Sequence, residues 1–316
     1  MKLLNATHNP LGLGPTLLVC ALSIGLPLFW DIPGHWRLIG ALQNSGHAVL
    51  FFFMAFCLAW RKLPGQWLLL ALCALGLSIE AVQYFIGKDC DIQDVLLDNL
   101  GSISGWLSFK LIKNRSLGRA VFPLGMLPVC LMVAAFYKPC LIALCYAMQW
   151  QNFPTLVSFD ELGRGFLIDH HEGGEYALTR LPAEIIQQGG PVNRTRVLQL
   201  NCPAQNWPGV ALIDLPPNWQ GFTQVQLDVW LADKTPIHLG LALRGLNNQS
   251  DHHDVSQRFL LQPGYNRVRW RLEDVRSKAS NQNLLAEIDK IIIFCMPEET
   301  RKQVSSLWVD DLRLVE

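Results

Sequence analysis

Two patterns of apolar and polar positions divide the chain near Trp150. Before it, apolar residues run in long blocks: 11–30, 38–60, 66–86, 95–112 and 120–148. A helix needs roughly 20 apolar residues to cross a bilayer core, so these blocks predict about five spans. The fourth block is short, and Pro123, Pro128 and Pro139 interrupt the fifth. Block 11–30 reads as a retained helix, not a cleaved signal peptide. Its basic start is weak, no small-x-small cleavage site follows, and further spans come after it. From Gln151 the period changes to two. Short alternating runs at 197–200, 225–230, 237–243, 258–261, 266–272, 290–294 and 307–314 are separated by Gly, Pro and Asn. Such runs predict strands, and many strands with little helix predict a sandwich or jelly roll. The expected fold is an α-helical transmembrane bundle over 1–150 followed by an all-β jelly-roll sandwich over 151–316, each long enough to bury a core.

The apolar pattern of the first half is broken at 80–105, where ionisable groups fall within or beside the spans. Charged groups there are costly and face a bundle interior or a water-filled cavity, which makes them candidate site residues. Glu80, Gln83 and Tyr84 are spaced i, i+3, i+4 and share a helix face. Asp91, Asp94 and Asp98 continue at spacings of three and four, and Gly101 and Gly105 extend the stripe. The Gly-x-x-x-Gly spacing suits close helix contact in lipid. Gly87 and the polar run 88–91 predict a turn, and Asn44 and His47 lie one helix turn apart in the second span.

These residues resemble the motif of the VanZ-like family of membrane proteins. That family carries a His, a Glu-x-x-Gln, a basic residue, an Asp, an Asn and a spaced Gly pair. His47, Glu80, Gln83, Lys88, Asp94, Gly101 and Gly105 match these elements in order, over roughly 11–119. The chain departs from the pattern at the Asn position, which holds Asp98 with Asn99 beside it, and at Gln43-Asn44, where an Asp-Lys pair often precedes the His. The resemblance implies a bacterial plasma (inner) membrane protein of a family linked by name to glycopeptide-antibiotic resistance. Candidate catalytic residues are His47, Glu80, Asp94 and Asp98; candidate binding residues are Asn44, Gln83 and Lys88. In a structural reading Glu80, His47 and Lys88 pair with each other or with Asp94. In a functional reading His47 is an acid or base that Glu80 or Asp94 orients, or these carboxylates bind a cation.

Charge refines the topology. Lysine and arginine equal aspartate and glutamate at 26 each, but the halves differ. Residues 1–150 are net basic and 151–316 net acidic, so nothing points to nucleic acid. Arg61-Lys62, and Lys110, Lys113, Arg115 and Arg119, fall in two loops that the positive-inside rule makes cytoplasmic. With five spans the N-terminus is cytoplasmic and the C-terminal half extracytoplasmic.

The strand order of the second half resembles the galactose-binding-like fold of carbohydrate-binding modules. Its carriers are Phe159-Asp-Glu, Trp219-Gln-Gly-Phe, the turn at 263–268 before Arg269-Trp-Arg-Leu, and the closing Trp308-Val-Asp-Asp-Leu-Arg-Leu. The resemblance implies a structural calcium, for which Asp160, Glu161, Asp310 and Asp311 could supply oxygens, although surface solvation explains these acids equally well. Sugar binding calls for an aromatic platform. Trp230, Trp270 and Trp308 lie within strands and read as core, whereas Trp207, between Asn206 and Pro208, reads as a loop residue and is the platform candidate. The pairs His170-His171 and His252-His253 read as surface residues, since neighbours on a strand point to opposite faces. Cys202 and Cys295 could bridge in that compartment or remain free.

The leading expectation is a binding or accessory protein of the cell envelope. Its helices would engage membrane lipids or a lipid-linked glycan, and its sandwich a cell-envelope or exported polysaccharide, in exopolysaccharide handling or glycopeptide-type tolerance. An intramembrane enzyme acting on such a lipid, and a scaffold docking a protein partner, are the alternatives.

Overall fold

The computed structural model describes Thr16 and residues 18–21, 36–61, 63–87, 91–113, 121–187, 189–191, 195–202, 207–246, 255–279, 283–296 and 305–316. Lys88, His252 and His253, with most of block 11–30, lie outside these residues. The chain forms two compact units, Met1–Cys140 and Leu141–Glu316.

In the first unit four helices follow one another: α1 (Arg37–Trp60), α2 (Gly65–Phe85), α3 (Ile92–Lys113) and α4 (Val121–Ala135). Helix α2 ends where Gly87 adopts a left-handed conformation, a stop that glycine tolerates without a Cβ penalty. Asp91 caps the start of α3, its Oδ1 accepting from Gln93 N at 2.8 Å. Helix α3 packs against α1, α2 and α4. A Cβ on Gly101 would collide with the Ala48 carbonyl, and one on Gly105 with that of Phe52, so α1 and α3 meet backbone to backbone. Phe109 then reaches Phe56, ring centroids 6.3 Å apart. These contacts advance together along both helices, which therefore run parallel. They leave Arg61, Lys110 and Lys113 at one end of the bundle. Helix α4 runs the other way: Pro128 accepts from Ser104 Oγ at 2.9 Å, and Ala135 from Ser45 Oγ at 2.9 Å. It therefore finishes toward the end that carries Asp91. Val19 and Cys20 pack on the apolar cluster of Phe51, Met54, Leu68 and Leu72.

The five spans expected from the sequence are not all seen among the described residues. Among the described residues two helices, α1 and α2, are long and apolar enough to cross a membrane. A third crossing exists only if Gly125–Ala135 and Tyr137–Asn152, bent by 56° at their break, act as one span. Helix α3 is absent from that set because Asp94, Asp98 and its serines lower its hydropathy; they are also the groups it buries.

The second unit takes in most of the helix α5 (Tyr137–Asn152). Ile142, Cys145 and Gln149 are buried, Tyr146 donates to Asp214, and Leu141 abuts Gly163, so the part from Leu141 packs on the sandwich by one face. The sandwich has two sheets, antiparallel throughout. One runs in the order β3 (Glu175–Arg180), β4 (Arg196–Cys202), β11 (Ser305–Val315), β6 (Gln224–Leu231), β9 (Gly264–Arg271), with β1 (Thr155–Val157) also on β11. The other runs β2 (Ile168–His171), β5 (Gly209–Ile213), β10 (Ile288–Cys295), β7 (Ile237–Gly245), β8 (Val255–Leu261). Leu198, Leu200, Leu227 and Val229 from the first sheet face Val210, Leu212, Leu241 and Ile293 from the second across one apolar core. Trp270 joins that core, while Trp230 and Trp308 form a second cluster with Leu181 and Ile185. Cys202 on β4 and Cys295 on β10 form a disulfide, Cα atoms 5.7 Å apart, which ties the two sheets together.

Candidate functional site

The polar stripe closes inside the helical unit. Helix α1 supplies His47, α2 supplies Gly76, Glu80 and Gln83, and α3 supplies Asp94, Asp98 and Ser102, all on buried faces. Asp98 is 1% exposed and Asp94 8%. His47 Nδ1 stands 3.4 Å from Asp98 Oδ1, ion-pair distance for a protonated ring. Glu80 Oε2 accepts from the backbone N–H of Asp91 at 2.9 Å, joining the end of α2 to the start of α3. Asp94 and Glu80 also lie within electrostatic reach of His47. The candidate catalytic residues thus come together, with Asp98, not Glu80 or Asp94, as the carboxylate against the ring. A carboxylate holding an imidazole is an arrangement suited to general acid–base work or to holding a proton.

Other expectations move. Tyr84 does not share the buried face: it is 68% exposed. At about 100° per residue it lies about 40° past Glu80, on the side away from Gln83. Asn44 is half-buried, and its neighbour Ser45 is the buried residue that ties α1 to α4. Sequence reasoning missed Gly76 and Ser102. A Cβ on Gly76 would stand 2.8 Å from Asp98 Oδ2, so the glycine makes room for the acid. Spacing from Asp98 places Ser102 on the stripe, but a serine in a span gives no signal of its own.

The four acids proposed for calcium do not form one ligand set. Glu161 bonds Arg164 at 3.3 Å in a fully buried pair, and Asp160 Oδ1 accepts from Arg196 N at 2.7 Å. Asp311 pairs with Arg313 at 3.3 Å. Asp310 is buried near Asp228, whose carboxylate is held by Tyr265 and Arg267, each at 2.9 Å. Burial, with Asp160, Asp311 and Asp228 adding negative charge, pushes Asp310 up to about 8. No three His, Cys, Asp or Glu among the described residues are placed to hold a metal ion.

Trp207 leads into β5 at one end of the sheet that contains β10, 37% exposed, its ring 5.7 Å from that of Phe294. Strand register sets Phe294 in one outward row with His171, Gly209, Gly240 and Arg258. Cβ atoms on Gly209 or Gly240 would strike Phe294, so its ring lies flat on the sheet, with His171 6.2 Å away. Sequence reasoning places Phe294 in a strand at 290–294 but assigns it no role, because which face of that strand turns outward depends on how the sheets pack. His170 donates from Nδ1 to Gly174 O, 2.7 Å away, on a partly exposed edge.

Comparison with known proteins bears on both units. Residues 15–113 match the VanZ/LLP1 family model. The matched segment thus contains every residue of the buried polar cluster. No curated protein matches the chain. Among solved structures, a family 11 carbohydrate-binding module from Clostridium thermocellum, in complex with a mixed-linked tetrasaccharide, is 13% identical. The match covers 47% of this chain and 86% of that one, with TM-score 0.33. The CBM22-1 xylan-binding domain from Paenibacillus barcinonensis is 15% identical over 50% of this chain and 92% of its own, with TM-score 0.32. An exo-beta-agarase is 14% identical over 51% and 25%, with TM-score 0.38. At those scores the functional reading rests on this chain's own residues.

Proposed function

We propose that the protein is a binding or accessory protein of the bacterial plasma membrane that couples an envelope lipid or lipid-linked glycan to an external polysaccharide. The observation that carries this reading is the buried cluster of His47, Glu80, Asp94 and Asp98 within the VanZ/LLP1 segment. Ionisable groups enclosed among membrane helices are costly and mark function. Counting 11–30 and α3 as crossings, the chain spans five times and α4 ends outside. Support comes from the basic end of the bundle, which carries Arg61, Lys110 and Lys113 and is cytoplasmic by the positive-inside rule, opposite the end where α4 finishes. The Cys202–Cys295 bridge suits an oxidising compartment, and hence an extracytoplasmic sandwich wound as a jelly roll.

The sandwich would take up sugar on the outward row around Phe294, with Trp207 as the stacking surface and His171 and Arg258 as polar partners. Aromatic rings offer apolar area to the face of a sugar while the rim supplies hydrogen bonds. The test is a glycan array with residues 141–316, which have their own core. We expect binding to an envelope or exported polysaccharide, weakened about tenfold by Trp207→Ala. Absence of binding to any such glycan, or an unchanged affinity in the variant, sinks the sandwich half of the reading.

A further inference from the structure

Helix α5 presents two opposite faces. At about 100° per residue, buried Ile142, Cys145 and Gln149 fall on one side, and exposed Ala143, Leu144, Ala147 and Trp150 on the other. The inward face is committed to the sandwich. Tyr146 donates to Asp214, and Cys145 lies within electrostatic reach of the buried Glu161–Arg164 pair. Gly163, in a left-handed conformation, lets its loop close on the helix, since a Cβ there would strike the Leu141 carbonyl.

The outward face is apolar and open. Leu144 is 43% exposed and Trp150 60%, and Leu162, beside Gly163, adds a third large apolar side chain at 59%. No residue from Pro139 to Phe159 is charged. Taken together, Gly125–Ala135 and Tyr137–Asn152 have the length and hydropathy of a membrane crossing. A helix that crosses is apolar all round, yet one side of α5 is spent covering Asp214 and an ion pair. The apolar surplus is therefore one face wide. Only Phe136 separates α5 from α4, whose 15 residues carry no charge, so this face is tethered directly to apolar helix. Trp150 stands just before Gln151 and Asn152 at the end of α5, the place of an indole where lipid gives way to water.

We propose that the outward face of α5, at Leu144, Ala147 and Trp150 with Leu162 beside it, lies in the interfacial layer of a lipid bilayer. The second unit is then itself a membrane-surface-binding module. A helix of this kind buries one apolar face at the boundary of headgroups and acyl chains. With no charge on that face, the attraction is to the acyl chains and not to headgroup charge. The proposal goes beyond the glycan reading, and a failed glycan array leaves it standing.

The test uses the full chain in phosphatidylcholine vesicles that include a phosphatidylcholine with a diazirine near the top of its acyl chain. After irradiation, mass spectrometry should find lipid on Leu144, Ala147, Trp150 and Leu162, and none on Ile142, Cys145 or Gln149. Lipid on both faces would make α5 an ordinary span, and lipid on neither would leave the outward face in water; each overturns the inference. Residues 141–316 supply the second arm. They should sediment with phosphatidylcholine vesicles equally well at low and high salt. Leu144→Ser and Trp150→Ser should each lower the partition coefficient about tenfold, the effect of returning one large apolar side chain to water. Melting temperature should stay near that of the native unit, because neither side chain belongs to the sandwich core. Failure to bind vesicles, or binding that requires anionic lipid, overturns the inference. So does a dimer in solution that both substitutions disperse while vesicles bind nothing, which would assign the face to a second copy.

Discussion

Asp310 is buried in a strand beside three other acids; burial first, and then their negative charge, pushes its carboxyl up to about 8. That lies well above the ordinary aspartate value of 3.8, with burial as the first cause. The folded state therefore holds this proton more tightly than the unfolded chain does. Its contribution to stability is fully present below about pH 4 and falls as pH rises toward 8. Asp310→Asn should flatten the loss of melting temperature of residues 141–316 between pH 4 and 8 and raise stability at pH 8. Parallel curves for native and variant domains would refute it. The same burial logic explains what single residues disclosed beforehand. Helical spacing brought out Glu80, Gln83, Asp94 and Asp98, because a polar residue in an apolar span stands out. Spacing within one helix could not say which acid meets His47, since that depends on how α1 and α3 pack. Nor could it say which strand face turns outward at Phe294, since that depends on how the two sheets pack.

Helix α3 is the element on which the first unit is built. It is too polar to resemble an ordinary span, yet it is surrounded by α1, α2 and α4. Its acids face the cluster, and its glycines allow the backbone of α1 to approach. Gly101→Ala should separate the two helices and cost about 1–3 kcal/mol, the usual penalty of overpacking a tight contact. A melting temperature in detergent equal to that of the native chain would count against that contact. The Gly-x-x-x-Gly spacing announced this interface but not its partner. Among the strands, β4, β6, β7, β8, β9, β10 and β11 coincide with alternating runs. Strand β5 was not anticipated, because every residue of Gly209–Ile213 is buried and such a strand reads as a plain apolar block. Strands β2 and β3 are short and lie at sheet edges.

For the whole molecule, orientation depends on whether 120–148 counts as one span. The direction of α4 bears on that. Ser104 and Ser45 anchor it antiparallel to α3, so it heads away from the basic end of the bundle, toward the end that carries Asp91. A cysteine placed at exposed Ser277 on the helix Leu272–Lys278 (S277C) should react with a membrane-impermeant maleimide in intact cells. Labelling seen only after lysis would reverse the orientation. Composition places the joint between halves near Trp150, because the apolar block runs almost to that point. Packing is what the pattern could not display: α5 is apolar outward, at Leu144 and Trp150, and also inward, at Ile142 and Cys145. That double character has a practical bearing on how such a chain can be rebuilt by recombination. A graft that exchanges the outer half at Gln151 would leave behind the helix that covers Asp214 and the Glu161–Arg164 pair, and would transplant a domain with an open flank. A graft that begins at Leu141 carries its own cover, so the heritable module starts inside the helix, ten residues before the change in composition suggests.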